Sequence, residues 1–164
     1  MRNLDLRLLR WMRVHGHSPA VEDAAVALGK AGNNGLVWFL LGATLAVLDS
    51  SRWESWLICA VLGPLAIGLN YAVKLVVRRP RPVLEGLPPL GGAPSSLSFP
   101  SAHATSSFAV ATAMVRVDPA MAAAFLVAFA LALGRPYLGM HYPSDVLAGA
   151  FIGVALGLIV PLSF

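Results

Sequence analysis

Cysteine is almost missing from this chain: Cys59 stands alone among 164 residues. No intramolecular disulfide can therefore form, and no thiolate cluster can hold a metal. Charge is scarce as well. Only 12% of residues are charged, and Asp and Glu together number 8. They do not supply the carboxylate-rich set that magnesium requires, and His and Cys do not make a zinc set, so neither a metal nor another cofactor is implied. The formal charge of +4 and pI near 9.8 come without a basic stripe on a polar helix face or an aromatic stacking motif, which argues against a nucleic-acid partner. No long apolar run opens the chain either. Arg2 to Arg13 alternate charged and apolar side chains, so no cleavable signal peptide is expected.

What the chain has in quantity is apolar surface. With 57% hydrophobic residues and a mean hydropathy of +0.72 it lies outside the range of ordinary soluble domains and belongs in a bilayer. Leu4 to Val14 set Leu4, Leu8, Trp11 and Met12 against Arg7, Arg10 and Arg13, the pattern of an amphipathic helix lying flat at the membrane surface. A second amphipathic segment runs from Ser18 to Gly29, and Asn33-Asn34-Gly35 then breaks the chain. Apolar segments follow at Leu36 to Leu48, Ser55 to Val77, Ala102 to Val115, Pro119 to Gly134 and Asp145 to Leu162. Several fall short of the ~20 residues of a full span, so weakly polar neighbours must lengthen them. The expectation is an all-α polytopic membrane bundle of about five transmembrane helices in one domain, 1–164, with 1–33 interfacial and 34–164 carrying the site. The long loop from Pro80 to Pro100, rich in Pro, Gly, Ser and Leu, is expected to be functional.

Five spans put alternate loops on opposite sides. All the lysines and arginines except Arg52 and Arg116 then fall on the N-terminal side, a bias that survives removal of the three cations assigned to chemistry below. This predicts a multi-pass protein of the plasma membrane with N-terminus and site on the cytoplasmic side.

Three polar clusters share that side. In Lys74-Leu-Val-Val-Arg-Arg-Pro-Arg81-Pro82, a spacing of seven residues approximates two helical turns, so Lys74 and Arg81 are expected on nearly one face. Taken alone, this cluster reads more readily as a snorkelling lysine beside a topology signal. In Pro100-Ser101-Ala102-His103, proline marks a helix start, and the N–H groups of Ser101, Ala102 and His103 with the Ser101 hydroxyl make an anion cradle. The plainer alternative is a serine cap and an interfacial histidine. In Arg135 to Asp145, His141 and Asp145 lie four apart across another proline-marked start, so the carboxylate can fix the imidazole tautomer and leave the other nitrogen free to attack phosphorus. Here the alternative is that Asp145 only caps the last helix. Convergence of cations, histidines, a carboxylate and a backbone anion site on one face favours the chemical reading, phosphoryl transfer without a metal.

These residues resemble a known family. Lys74 with Arg81-Pro82, then Pro100-Ser101-Ala102-His103, then Arg135, His141 and Asp145 are similar in order and spacing to the KxxxxxxRP, PSGH and SRxxxxxHxxxD signature of type-2 phosphatidic acid phosphatases. The resemblance implies that His141 is the nucleophile, Asp145 orients it, and His103 protonates the leaving lipid alcohol, with Lys74, Arg81, Ser101, Ala102 and Arg135 binding the phosphoryl group. Ala102 replaces the family glycine and Gly134 the serine. Brevity and Ala/Val/Arg-rich composition look like the phosphatases acting on decaprenylphosphoryl-phosphoribose. Undecaprenyl diphosphate, phosphatidylglycerol phosphate and phosphatidic acid stay open as substrates. The expected partners are a membrane lipid substrate and the bilayer, and a homo-oligomer is allowed but not indicated. A small anion transporter or membrane scaffold is the competing class, and a vanadium haloperoxidase a third.

Other residues carry structural expectations. His15 and His17 belong to a surface loop, and Asn70 to packing across helices. Gly149, Gly153 and Gly157 should allow close helix approach, and Trp11, Trp38, Trp53 and Trp56 sit where interfacial anchors do.

Overall fold

Proline, glycine and short polar side chains set the helix boundaries. Ser18 accepts the Val21 N–H and Pro19 takes the first turn, where its missing N–H costs nothing. Asp118 caps the turn at Pro119–Ala123, and Asp145 reaches back to the Tyr142 N–H at 3.0 Å beside Pro143. The resulting helices are α1 (Arg2–Val14), α2 (Pro19–Ala31), α3 (Leu36–Leu48), α4 (Trp53–Val77), α5 (Ala102–Val117), α6 (Ala124–Tyr137) and α7 (Pro143–Ile159). This computed structural model describes residues 2–92 and 95–163, and among them the regular structure is entirely helical. Met1, Phe164 and positions 93 and 94 of the long loop lie outside the described residues.

The bundle is built around α5. Its residues from Ala104 to Met114 are all buried, and it packs on α4, α6 and α7. Gly149, Gly153 and Gly157 form the α7 side of the tightest seam; a Cβ on Gly149 would lie 2.7 Å from the Ser101 carbonyl oxygen and 3.0 Å from the Ala104 Cβ. The glycine repeat is thus an intramolecular packing stripe, as expected. Asn70 also crosses helices, donating to the Thr105 hydroxyl at 2.9 Å and the Pro100 carbonyl at 3.3 Å.

Outward faces of α4, α6 and α7 carry exposed large apolar side chains, among them Leu65, Val76, Leu126, Phe151 and Ile159. Such a belt suits a lipid environment. By length and hydropathy, however, only the stretches Ser50–Val77 and Pro119–Tyr137 pass as membrane spans on their own among the described residues. Pro19–Ala31 with Asn33–Leu48 passes as one pair bent by 52°, and Pro143–Ile159 is shorter but apolar. The expected count of five is therefore not reproduced by that criterion. α5 has 16 residues and a Ser/Thr-containing face because it touches protein on all sides, so its sequence lacks the hydropathy of a lipid-facing helix.

Two further expectations change. Trp38 and Trp56 are buried, donating to Ser107 at 3.0 Å and Asp49 at 2.9 Å, and only Trp11 and Trp53 are exposed as anchors would be. In α1, Leu4, Leu8 and Trp11 do lie on the exposed face, but Arg13 does not join the solvated charges. It is buried with Asp5 against the bundle and donates to the Pro88 carbonyl at 2.9 Å. His17 is structural, bonded to Glu22 at 2.8 Å and stacked on Tyr137.

Candidate active site

Helix ends from four distant parts of the sequence meet at one end of the bundle and enclose a cavity of about 210 Å³. Its walls include Lys74, Arg81, Ala102, His103, Arg135 and His141, with Gly32, Asn33, Asn34, Ile67 and Ser96 completing it. Ser101 and Asp145 are fully buried behind that wall.

Lys74 occupies the last turn of α4. Its ammonium is held by the carbonyls of Leu97 at 2.8 Å, Pro100 at 2.9 Å and Ser98 at 3.3 Å. Arg81 is not on the same helix face, because α4 stops at Val77. Arg78 takes a left-handed conformation (φ 52°) that returns its N–H to the Lys74 carbonyl, and the two prolines that follow cannot continue a helix. The loop brings Arg81 back to the cavity by another route. Its guanidinium donates to the Ser96 carbonyl at 2.8 Å and the Met140 carbonyl at 2.7 Å.

Arg81 Nη1 also approaches His141 Nε2 at 3.2 Å. A guanidinium has no acceptor, so this contact requires Nε2 to present its lone pair and puts the ring proton on Nδ1. Nδ1 faces Asp145 Oδ2 at 3.5 Å, in ion-pair range but too long for a formed hydrogen bond. Burial, followed by the positive charge of Arg81 and Lys74, pushes His141 down to about 4 against the opposing pull of Asp145. The imidazole is therefore neutral at physiological pH, with its lone pair beside a cation. Burial likewise lowers Arg81 from its ordinary value, but a guanidinium remains charged.

Ser101 caps α5, its hydroxyl accepting the Ala104 N–H at 3.5 Å, while its own N–H donates to the Asp145 carbonyl at 3.0 Å. The expected three-donor cradle thus narrows to the N–H groups of Ala102 and His103 at the positive end of the helix. His103 Nε2 lies 2.9 Å from the Gly29 carbonyl, which only accepts, so this nitrogen carries the proton. Arg135, in the last turn of α6, touches Met140 Sδ, and its Nε has no partner. Among the described residues, Lys74, Arg81 and Arg135 have no carboxylate partner, so the cavity wall carries an excess of positive charge. Its chemistry is that of an anion site with two imidazoles on it.

Several contributors escaped the sequence. Asp145 Oδ1 accepts from Arg79 Nη1 at 2.7 Å, and the other arm of Arg79 reaches Asp5 of α1 at 2.9 Å. Gly29 and Gly32 let α2 approach: a Cβ on Gly29 would meet Arg135 Nη1 at 2.6 Å, and one on Gly32 would lie 3.0 Å from the His103 ring. Asn33 and Asn34 rim the cavity from the break between α2 and α3. That break was visible as Asn-Asn-Gly, a polar non-helical step of the kind that lines cavities in membrane proteins. The long loop adds an open groove of about 660 Å³ that shares Arg81 and Ser96 with the cavity.

Comparison with known proteins finds relatives of the chain and of its fold. The family profile described as the PAP2 superfamily matches residues 53–164. A decaprenylphosphoryl-5-phosphoribose phosphatase of Mycolicibacterium smegmatis is 40% identical over 131 residues, covering 80% of this chain and 72% of that protein. The crystal structure of Aquifex aeolicus LpxE superposes with a TM-score of 0.78 at 28% identity, covering 95% of this chain and 93% of the other. The first transmembrane PAP2-type phosphatidylglycerolphosphate phosphatase from Bacillus subtilis shares the fold, with a TM-score of 0.75 at 22% identity and coverage of 96% and 83%.

Proposed function

The chain belongs to the PAP2 superfamily and is a membrane phosphoric monoester hydrolase, and we propose that it dephosphorylates a membrane-embedded lipid through a phosphohistidine on His141. Nε2 of His141 attacks phosphorus while the bond to the leaving oxygen breaks, and that oxygen takes a proton from His103 in its doubly protonated form, whose Nε2–H stays on the Gly29 carbonyl. Water then attacks phosphorus and gives a proton back to His103 as the phosphorus–nitrogen bond breaks, releasing inorganic phosphate and restoring the His141 imidazole. Lys74, Arg81 and Arg135, with the N–H groups of Ala102 and His103, stabilise the charge spread over the phosphoryl oxygens. Ser101 acts from behind as the cap that aims those N–H groups, and Asp145 holds the imidazolium that forms.

The observation that carries this reading is the His141 lone pair held beside the Arg81 guanidinium on a cavity it shares with His103. The decisive test is turnover with EDTA present. Wild-type protein releases phosphate and acquires an acid-labile, alkali-stable phosphoryl label, and His141→Ala does neither. A fully active His141→Ala variant would remove the nucleophile, and loss of wild-type turnover in EDTA would remove the metal-free mechanism. An anion transporter or scaffold would release no phosphate at all.

For substrate, the proposal is a polyprenyl-linked ester such as decaprenylphosphoryl-5-phosphoribose. Support comes from the name of the relative at 40% identity and from the amide side chains of Asn33 and Asn34, suited to hydroxyls of a sugar leaving group. Undecaprenyl diphosphate, phosphatidylglycerol phosphate and phosphatidic acid are the alternatives that a phosphate-release panel separates. The proposed topology is five crossing helices, α3 to α7, within one domain of the plasma membrane, with the N-terminus and cavity cytoplasmic. Labelling of Arg81→Cys from outside intact cells would contradict it.

A further inference from the structure

Arg79, adjacent to the loop prolines, is clamped between two carboxylates that lie far apart in sequence. Nη1 donates to Asp145 Oδ1 at 2.7 Å and to the Ser144 hydroxyl at 2.8 Å, and Nη2 donates to Asp5 Oδ2 at 2.9 Å. Asp5 also accepts the Ser144 N–H at 3.0 Å and the Ser144 hydroxyl. The guanidinium lies over the Tyr142 ring, 3.9 Å from its centroid. Asp5 is 7% exposed, although it sits in an amphipathic helix whose other face presents Leu4, Leu8 and Trp11.

An aspartate buried in the first turns of a surface helix needs a reason beyond solubility, since burying a carboxylate is costly unless it is paired. Burial alone would raise Asp5. Hydrogen bonds from Ser144 and Arg79 outweigh it and hold the carboxyl below its usual range, so Asp5 is an anion throughout the working pH. Its charge therefore falls on Arg79, and through Arg79 on Asp145.

We propose that α1 is a working part of the active site: Asp5, acting through Arg79 and Ser144, is a positioning residue that sets the orientation and effective charge of Asp145 behind His141. The inference rests on the reading of His141 as nucleophile. With Asp5 present, the Arg79 charge is shared between two carboxylates, and Asp145 keeps negative potential for the imidazolium that forms at its other oxygen. Without Asp5, Arg79 has Asp145 as its only carboxylate among the described residues and cancels that potential. Ser144, which Asp5 holds at both N–H and hydroxyl, lies in the first turn of α7 immediately before Asp145, so the same contact anchors the start of α7.

The test uses full-length protein in lipid nanodiscs and phosphate release from farnesyl phosphate, or from dioctanoyl phosphatidic acid where that turns over faster. Asp5→Asn is expected to lower kcat by about tenfold, the low end for loss of a partner behind a reacting group, with KM within twofold. The pH profile separates positioning from damage. Asp145, Arg81 and Lys74 are the charged groups that act directly on His141, and Arg79 faces it across Asp145. Removing the Asp5 charge makes the site more positive and moves the acid limb of kcat/KM to lower pH, whereas Arg79→Gln moves it to higher pH. Simple misfolding gives no such opposite pair. Ser144→Ala, which keeps both charges, serves as the second variant and is expected to lose severalfold in kcat with the limb unmoved. Inactive His141→Ala beside an Asp5→Asn variant, or failing its folding a Ser144→Ala variant, with wild-type kcat and pH profile overturns this inference and spares the nucleophile. An active His141→Ala variant overturns both.

Discussion

Replacing Gly149 by alanine adds one methyl group to the seam between α5 and α7 at the point where it borders the cavity. The new Cβ would stand 2.7 Å from the Ser101 carbonyl oxygen, 3.0 Å from the Ala104 Cβ and 3.2 Å from the Thr105 hydroxyl, whereas ordinary contact begins near 3.4 Å. The obstacle is backbone, so no rotamer change relieves it, and the helices must part by roughly 0.7 Å locally. The hydrogen bond from the Ser101 N–H to the Asp145 carbonyl, 3.0 Å long, crosses the same seam and would stretch out of range. Overpacking costs about 1–3 kcal/mol and the lost bond about 1 kcal/mol. On the proposed mechanism the kinetic effect is larger than the stability loss suggests, because α5 carries His103 and the N–H groups of the proposed anion site while α7 carries Asp145. A displacement approaching 1 Å lowers kcat by about 10- to 100-fold. The assay is phosphate release by purified Gly149→Ala protein alongside its thermal midpoint. Gly68→Ala is the control, since nothing lies within 4 Å of its added Cβ. That variant should keep wild-type kcat and gain up to about 1 kcal/mol from helix propensity. Wild-type kcat and midpoint in Gly149→Ala would refute the claim that this seam sets the catalytic geometry.

Three other outcomes are expected. Because His141 is held near 4 when folded against an ordinary value of 6.5, the unfolded chain binds the extra proton between those values; its contribution to stability is present above about pH 6.5 and is lost as pH falls toward 4. Denaturation midpoints across that range should show this slope, and His141→Gln should flatten it. Lys74→Arg should lose at least tenfold in kcat, since a planar fork cannot replace an ammonium gripped by three converging carbonyls; unchanged turnover would mean the grip is incidental. The double variant Asn33→Ala, Asn34→Ala should raise KM severalfold for esters with a sugar leaving group and leave phosphatidic acid unaffected, as measured on the substrate panel.

Local signals in the sequence located the helices well. The Leu36–Leu48 segment matches α3 end for end, because Asn-Asn-Gly before it and Asp49 after it are unambiguous breakers. Prolines at 100 and 143 marked the starts of α5 and α7, within two residues of where the chain turns helical. Part of the cavity wall was legible for the same reason, since Lys74, Ala102, His103 and Arg135 sit at helix ends whose breakers can be read. Legibility ended where position depends on partners distant in the chain. Helical spacing put Arg81 on the face of Lys74, whereas the αL turn at Arg78 detaches it. The Ser101 N–H looked free for an anion, and only the packing of α7 shows that Asp145 takes it. Trp38 and Trp56 lie near helix ends, as anchors do, but hydrogen-bond partners inside the bundle draw them in. Asp5 and Arg79 meet across 74 positions, and no periodicity in either segment announces the pair.

Enclosure of α5 by protein on all sides governs how the molecule responds to the thickness of its surroundings. On the proposed topology, the outer helices α3, α4, α6 and α7 bear the hydrophobic mismatch of a thinner or thicker bilayer and tilt to absorb it. α5 exposes no apolar belt of its own to be matched, so it stays upright as an axle while its neighbours lean. The N–H groups at its first turn are thereby insulated from variation in acyl-chain length, and a lipid-dependent change in rate must be transmitted through the helices that lean on it.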